Sequence, residues 1–154
     1  MRMEKSDYTV LLVEDEENDA FLLQRAFKKN NILQPIQWVK DGLEALAYLK
    51  GEGIYADRKK YPYPEVILLD LKMPRMSGLE LLSWIREHSD LRVIPTIVMS
   101  SSREDLDVQK AYDLGANTYL VKPSDSDTLA RMIKSMHDYW AMSVKPGAKR
   151  HKNS

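Results

Sequence analysis

The sequence of 154 residues contains no cysteine, and this absence excludes disulfides and thiolate chemistry. It has no excess of charge either: 23 Lys and Arg residues balance 23 Asp and Glu residues, so no large basic surface exists for phosphate backbones or anionic lipid. No apolar run approaches a length of about 18 residues, which a membrane span needs, and residues 1–7 do not form an apolar leader. We therefore expect a cytoplasmic protein without a nucleic-acid or membrane partner.

Apolar residues make up 44% of the chain and charged residues 30%, which is typical of one soluble globular domain. We expect that domain to span residues 1–143. Residues 144–154 contain Pro, Gly, Lys and Arg and almost nothing apolar, so this part of the chain is predicted to be a flexible tail.

Short apolar runs alternate with helix-period segments along the chain, and this alternation indicates a parallel sheet wrapped by helices. Three continuous apolar runs, at residues 10–13, 66–69 and 96–99, predict central strands that are buried on both faces. Two shorter and more polar runs, at residues 36–39 and 119–121, predict strands nearer the margins of the sheet. Helical spacing of apolar residues predicts five helices, at residues 19–29, 43–50, 79–87, 105–114 and 125–142.

The connection over residues 51–64 is long for a link between a helix and a strand. It contains three tyrosines and two prolines. Long loops on a rigid scaffold often carry function, so this segment is a candidate partner surface.

Charged and hydroxyl side chains follow the predicted strands, at the edge of a parallel sheet where ligands bind. They are Glu14 and Asp15 after the first strand, Asp70 after the third, Ser100 and Ser101 after the fourth, and Lys122 after the fifth. One edge of the sheet is therefore expected to collect three carboxylates, hydroxyls and an ammonium group.

Each of these residues also has a structural explanation when it is taken alone. Residues 14–17 are acidic, as the first turn of a helix often is. The two serines fit a turn, and Lys122 fits a solvated position. Asp70 is harder to explain in this way, because an unpaired charge at the rim of a buried strand is costly. All of these explanations together are improbable, so we interpret the residues as one site.

Three clustered carboxylates repel one another by about 4 kcal/mol per pair at about 4 Å and an effective dielectric constant of about 20, so they hold a proton or bind a cation. Mg²⁺ prefers carboxylates, water and phosphate oxygens, and no His or Cys lies nearby in the sequence to suit zinc. With Mg²⁺ bound, one carboxylate can attack a phosphoryl group, and Asp70 is the best-placed nucleophile.

The motifs around these residues resemble those of receiver domains from two-component response regulators, over residues 7–142. They are Leu12-Val13-Glu14-Asp15, Leu68-Leu69-Asp70-Leu71-Lys72-Met73-Pro74 with Gly78, Met99-Ser100-Ser101, and Gly115-Ala116-Asn117-Thr118-Tyr119-Leu120-Val121-Lys122-Pro123. The resemblance implies an α/β, flavodoxin-like, doubly wound sheet of five parallel strands in the order 2-1-3-4-5 with five helices.

By this resemblance, Asp70 is the phosphoacceptor and takes its phosphoryl group from a phosphohistidine of a sensor histidine kinase. The implied Mg²⁺ ligands are Asp15, Asp70, Glu14 acting mostly through a metal-bound water, and the main-chain carbonyl of Lys72. Lys122 and the main chain of Ser101 would contact the phosphoryl oxygens.

The resemblance also implies a switch, in which Ser100 is the hydroxyl drawn toward the phosphate and the rotamer of Tyr119 follows it. In the family the bond between Lys122 and Pro123 is commonly cis, whereas base rates alone favour trans. The chain departs from the family pattern at Glu14, where Asp is commoner, at Lys72, where Asn is frequent, and at Ser124, where an apolar residue is usual. The ligand set survives these changes.

The connection at residues 51–64 and Tyr139-Trp140 are similar to features of single-domain receivers that pair with phytochromes. This similarity implies a phytochrome as the sensor kinase and a homodimer through residues 105–142. Trp140 is equally compatible with an interface and with the core. Output is expected through protein contacts, because the fourteen residues after Trp140 are too few for a DNA-reading module.

Other functions stay open from the sequence: an intermediate that passes phosphate to a histidine phosphotransfer protein, a metal-dependent aspartyl phosphatase, a flavin-binding domain, and a docking module that is not phosphorylated. The phosphatase needs an acid two places after its nucleophile, where this chain has Lys72. A flavin phosphate would be repelled by Glu14, Asp15 and Glu16. The docking module is disfavoured because every pocket residue is present. We expect a phosphoacceptor that is not an enzyme, with slow self-dephosphorylation at most.

Overall fold

The computed structural model describes residues 9–32 and 36–142, which form five parallel strands and five α-helices. The strands are β1 (Val10–Val13), β2 (Ile36–Val39), β3 (Val66–Leu69), β4 (Thr96–Ser100) and β5 (Thr118–Val121). The helices are α1 (Glu17–Lys29), α2 (Gly42–Lys50), α3 (Gly78–Arg86), α4 (Asp105–Asp113) and α5 (Ser126–Met142). None of these helices has the length and apolar composition of a membrane span. The predicted tail, residues 144–154, lies outside the described residues.

The strands form one sheet in the order β2-β1-β3-β4-β5, as predicted. Each predicted strand and helix is present, with bounds that differ by one or two residues at most. The continuous apolar runs form the fully buried central strands β1, β3 and β4. The more polar runs form the margin strands β2 and β5, whose side chains are mostly half-buried because each has a neighbouring strand on one side only.

Alternate side chains of the central strands face opposite layers of the core. Leu11 of β1 packs in the layer covered by α2, α3 and α4, and Leu12 packs in the layer covered by α1 and α5. Trp140 of α5 is 8% exposed and lies in this second layer. Trp140 is therefore a core residue, whereas its neighbour Tyr139 is exposed.

Residues 51–64 fold back onto α2. They contain a short 3-10 helix, Gly53–Ala56, and Tyr55 in this helix is buried with its ring centroid 5.0 Å from that of Tyr48 in α2. The guanidinium of Arg58 lies over the ring of Tyr48 and donates to a carbonyl near the end of α2. The aromatic residues of this segment therefore anchor it to the domain, and its role as a partner surface stays a prediction.

Candidate functional site

The register of the sheet brings the ends of β1 and β3 together. Val13 pairs with Leu69, so Glu14 and Asp70 leave the sheet side by side. The N–H of Asp70 donates to the carbonyl of Val13 at 3.0 Å, and the N–H of Glu14 donates to the carbonyl of Val39 at 3.1 Å. These backbone hydrogen bonds hold both carboxylates at the same edge of the sheet.

Glu14, Asp15 and Asp70 form the carboxylate cluster that the sequence predicts. One carboxylate oxygen of each residue lies within 4.8 Å of the others. Glu14 is 1% exposed and Asp70 is 7% exposed. Asp15 Oδ1 is buried and accepts no hydrogen bond from the described residues, which is costly unless a cation approaches it. A donor set made only of carboxylate oxygens fits a hard divalent ion such as Mg²⁺.

The ammonium of Lys122 reaches this cluster from the end of β5. Its Nζ lies 2.8 Å from Glu14 Oε1 and 3.6 Å from Asp70 Oδ2. The described residues contain no cis peptide bond, so the bond between Lys122 and Pro123 is trans. The cis bond that the resemblance implied is therefore wrong for this structure, and the base-rate expectation is confirmed. Lys122 reaches the predicted position from a trans backbone.

A further anchor for Lys122 was missed by sequence reasoning. Asp19 Oδ2, on the first turns of α1, accepts a hydrogen bond from Lys122 Nζ at 2.8 Å. Asp19 lies in the first turn of α1, where acidic residues are common because they favour the helix dipole. Its acidic neighbours in the sequence gave no reason to single out Asp19.

Burial disfavours the charged forms of Glu14 and Asp70 and raises the pKa of each. It raises the pKa of Glu14 to about 7, although the hydrogen bond from Lys122 opposes this effect. Burial also raises the pKa of Asp70, and the charge of Lys122 again opposes it. Burial alone would lower the pKa of Lys122, but hydrogen bonds to Asp19 and Glu14 outweigh it and raise this pKa. Even with the ammonium of Lys122 nearby, the pKa values of Glu14 and Asp70 stay above their usual range, so a second cation is favoured here.

The predicted hydroxyl side of the site lies at the end of β4. Ser100 is fully buried, and its Oγ accepts a hydrogen bond from the N–H of Ser102 at 3.2 Å. Tyr119 of β5 donates from its hydroxyl to the carbonyl of Ser102 at 2.9 Å. Ser101 lies between the two serines and is exposed. Ser102, which the sequence reasoning did not single out, therefore connects Ser100 to Tyr119.

Lys72 lies beside Asp70 on the loop after β3. Its N–H points at Asp70 Oδ1 at 3.5 Å, and its Nζ lies 3.7 Å from Asp107 Oδ2 in α4. An open cleft of about 530 Å³ is lined in part by Asp15, Lys72 and Asp107. The cleft exposes one member of the carboxylate cluster, Asp15, to solvent.

The model of the response regulator receiver domain family matches residues 10–134, which include every residue of this site. The chain belongs to this family. The receiver is 37% identical over 136 residues to the probable methanogenesis regulatory protein FilR2 of Methanothrix harundinacea, across 86% of the chain and 83% of that protein. It is 36% identical over 135 residues to response regulator Rcp1 of Synechocystis, across 88% of the chain and 90% of that protein.

Solved structures of response regulators share the receiver fold of this chain. The phosphorylated cyanobacterial phytochrome response regulator RcpA superposes with a TM-score of 0.84 at 34% identity, covering 92% of this chain and 100% of that one. The Mn²⁺-bound form of Rcp1 superposes with a TM-score of 0.80 at 34% identity, covering 91% and 99%. Receiver domains bind Mg²⁺ or Mn²⁺ at an acidic pocket, and this receiver has an acidic cluster of that kind.

Proposed function

We propose that this receiver is a phosphorylation-dependent signalling switch in which Asp70 accepts a phosphoryl group from a phosphohistidine of a sensor histidine kinase. The observation that carries this proposal is the cluster of three carboxylates within 4.8 Å of one another, with the ammonium of Lys122 at 3.6 Å from Asp70. Phosphoryl transfer needs this combination of a positioned nucleophile and concentrated positive charge.

Mg²⁺ is the cofactor that the cluster fits. Glu14, Asp15 and Asp70 would hold it together with the main-chain carbonyl of Lys72. Asp15 Oδ1 would then gain the partner that it lacks among the described residues. Mg²⁺ bound here supplies charge neutralisation and polarises a phosphoryl oxygen. The Mn²⁺-bound form of Rcp1 supports this assignment.

In the transfer step, a carboxylate oxygen of Asp70 attacks the phosphorus atom of the phosphohistidine. The O–P bond forms as the P–N bond breaks, and the imidazole nitrogen leaves with the electron pair of that bond and takes up a proton. Lys122 balances the charge on the phosphoryl oxygens, and the main-chain N–H of Ser101 donates to one of them.

Ser100 and Tyr119 form the proposed switch. Ser100 Oγ is bonded to the N–H of Ser102, and turning toward a phosphoryl group on Asp70 would break this bond. Tyr119 is bonded to the carbonyl of the same Ser102, so its rotamer would respond to the movement of that loop. The phosphoryl group would thus shift the equilibrium between the unactivated and the activated conformation, because it makes different contacts in the two.

The proposed output is homodimerisation through residues 105–142, which contain α4, β5 and α5. Leu106, Tyr139 and Met142 are large apolar side chains that are exposed on this surface. An apolar groove of about 840 Å³ lies between β5 and α5. Exposed apolar surface of this kind is typical of protein–protein contacts.

A phytochrome is the sensor kinase that we propose, and the cytoplasm is the matching location. The proposal is supported by the similarity to RcpA, which is described as a phytochrome response regulator. A phosphorelay intermediate would use the same chemistry at Asp70. Transfer of the phosphoryl group from Asp70 to a histidine phosphotransfer protein would distinguish it from a switch that acts through protein contacts. The aspartyl phosphatase is not favoured, because Lys72 occupies the position of the acid that it needs.

Intact mass spectrometry after incubation with acetyl phosphate and Mg²⁺ tests the phosphoacceptor. The wild-type protein is expected to gain one phosphoryl group, and both Asp70→Asn and chelation of Mg²⁺ are expected to abolish the gain. Asp138→Asn, on the exposed side of α5, is the matched control and should be labelled like the wild type. A wild-type protein that stays unmodified would overturn the proposal.

A further inference from the structure

The ammonium of Lys122 lies close to three carboxylates, and the phosphoacceptor Asp70 is the most distant of them. Its Nζ lies 2.8 Å from Glu14 and 2.8 Å from Asp19, but 3.6 Å from Asp70. An ammonium group has three N–H donors, so two of them are engaged by residues other than the acceptor. Lys122 would contact a phosphoryl group on Asp70 more closely if its hydrogen bond to Glu14 or to Asp19 were broken.

Asp19 is the partner that can be released. The side chain of Glu14 is 2% exposed and belongs to the carboxylate cluster, so its position is fixed by the cluster. The side chain of Asp19 is 37% exposed and lies outside the cluster. Water screens this partly exposed ion pair more than the buried one, so the bond from Lys122 to Asp19 is the weaker of the two.

We propose that Asp19 holds the ammonium of Lys122 away from the acceptor in the unphosphorylated protein and so limits how tightly a phosphoryl group on Asp70 is bound. The proposal rests on the function proposed above for Asp70. Asp19 is a positioning residue, because it acts through Lys122 and does not touch the reacting atoms.

Loss of the Asp19 charge has two effects of opposite sign. It weakens the hydrogen bond that holds one N–H of Lys122, because a neutral acceptor binds an ammonium less strongly than a carboxylate does. It also removes an anion from the surroundings of the phosphoryl oxygens, so an anionic phosphoryl analogue should bind more tightly. It also makes the pocket less negative, so Mg²⁺ should bind with equal or lower affinity. A general structural defect would weaken both affinities, and this difference separates positioning from folding.

Titrations with beryllofluoride at saturating Mg²⁺, and with Mg²⁺ alone, test the proposal through tryptophan fluorescence. Trp38 reports on the site, because its Nε1 donates to the carbonyl of Glu14 at 2.7 Å. Asp19→Asn is expected to bind beryllofluoride about two- to fivefold more tightly than the wild type, as fits the loss of a partly exposed ion pair. Its affinity for Mg²⁺ should be unchanged or lower.

Two variants control for charge and for side-chain shape. Glu17→Gln also removes one negative charge from the first turn of α1, but Glu17 is not a partner of Lys122. This variant should therefore bind beryllofluoride like the wild type. Asp19→Glu keeps the charge and should also behave like the wild type. Equal tightening in Glu17→Gln, or weaker binding of both ligands to Asp19→Asn, would overturn the proposal.

The result for the wild-type protein distinguishes the two proposals. If the wild type binds no beryllofluoride, the proposed function fails and the role of Asp19 fails with it. If the wild type binds beryllofluoride and Asp19→Asn binds it with the same affinity, the role of Asp19 alone is disproved.

Discussion

Gly78, the first residue of α3, lies directly against the backbone of Asp70. A β-carbon at position 78 would lie 2.4 Å from the carbonyl oxygen of Asp70, well inside van der Waals contact. The N–H of Gly78 also donates to the carbonyl of Leu71 at 2.9 Å. The glycine of the motif therefore allows α3 to begin in contact with the backbone that carries the acceptor.

Gly78→Ala is expected to displace the backbone of Asp70. The free energy of unfolding should fall by about 1–3 kcal/mol, which is the usual cost of overpacking a dense interior. Labelling by acetyl phosphate should also slow, because the acceptor would move relative to Lys122. Urea denaturation measures the first effect, and the rate of mass gain measures the second.

Gly53→Ala is the control for this prediction. No atom lies within 4 Å of a β-carbon at position 53, but the φ angle there is +60°. The variant should therefore carry only the strain of a left-handed backbone, about 1 kcal/mol. It should be labelled at the wild-type rate, and equal rates in the two glycine variants would contradict the proposed contact.

The affinity for Mg²⁺ is expected to fall as the pH falls from about 8 to about 6. Burial raises the pKa of Glu14 from 4.5 to about 7, so the charged form is disfavoured in the folded protein. Below this pKa, Mg²⁺ must displace a proton from Glu14, and above it the carboxylate is already charged. A loss of up to about tenfold in affinity per pH unit follows for one displaced proton. Isothermal titration calorimetry at several pH values checks this.

Glu14→Gln should show a shallower pH dependence and a lower affinity at about pH 8. The substitution removes the carboxylate for which a proton and Mg²⁺ compete, and with it one negative charge of the Mg²⁺ site. Glu17→Gln is the matched control, since it leaves the carboxylate cluster intact and should keep the wild-type slope. A wild-type affinity that does not change over this pH range would refute the assignment of Glu14.

Activation is expected to increase self-association through residues 105–142. With beryllofluoride and Mg²⁺, light scattering should report a heavier species than without them. Leu106→Glu should prevent this change, because it places a charge on an exposed apolar position of α4. Its control is Val93→Glu, at an exposed apolar position outside this surface, which should still associate. A constant mass in the wild type, or equal disruption by both variants, would disprove this interface.

The sequence pattern was sufficient for the strands, for their parallel direction and for the carboxylate cluster, whereas the strand order came from the resemblance to receiver domains. Continuous apolar runs such as residues 10–13 identify strands that are covered on both faces, because no polar side chain interrupts them. Parallel strands end at the same edge, so Glu14 and Asp70 were expected to meet there before any contact was known. The contact between Glu14 and Lys122 follows from the same rule, since Lys122 comes directly after the fifth strand.

Contacts between distant elements were not predictable in the same way. Asp19 and Lys122 are 103 residues apart, and their hydrogen bond depends on how α1 is rotated against the sheet. Trp140 was compatible with the interface and with the core, and the packing of α5 against α1 and the sheet places it in the core. The length and the tyrosines of residues 51–64 indicated an unusual connection. The contact of the Tyr55 ring with Tyr48 in α2, which holds this segment against the domain, was not predictable from them.

The amino-acid sequence by itself determined the order of elements, the identity of the central strands and the residue types at their ends, because these depend on periodicity and on a shared strand direction. Only the tertiary structure decided that Lys122 also binds Asp19 and which aromatic residues are buried. Those features depend on the rotation and separation of packed elements, which are set by all the side chains of the core together and leave no local pattern in the chain.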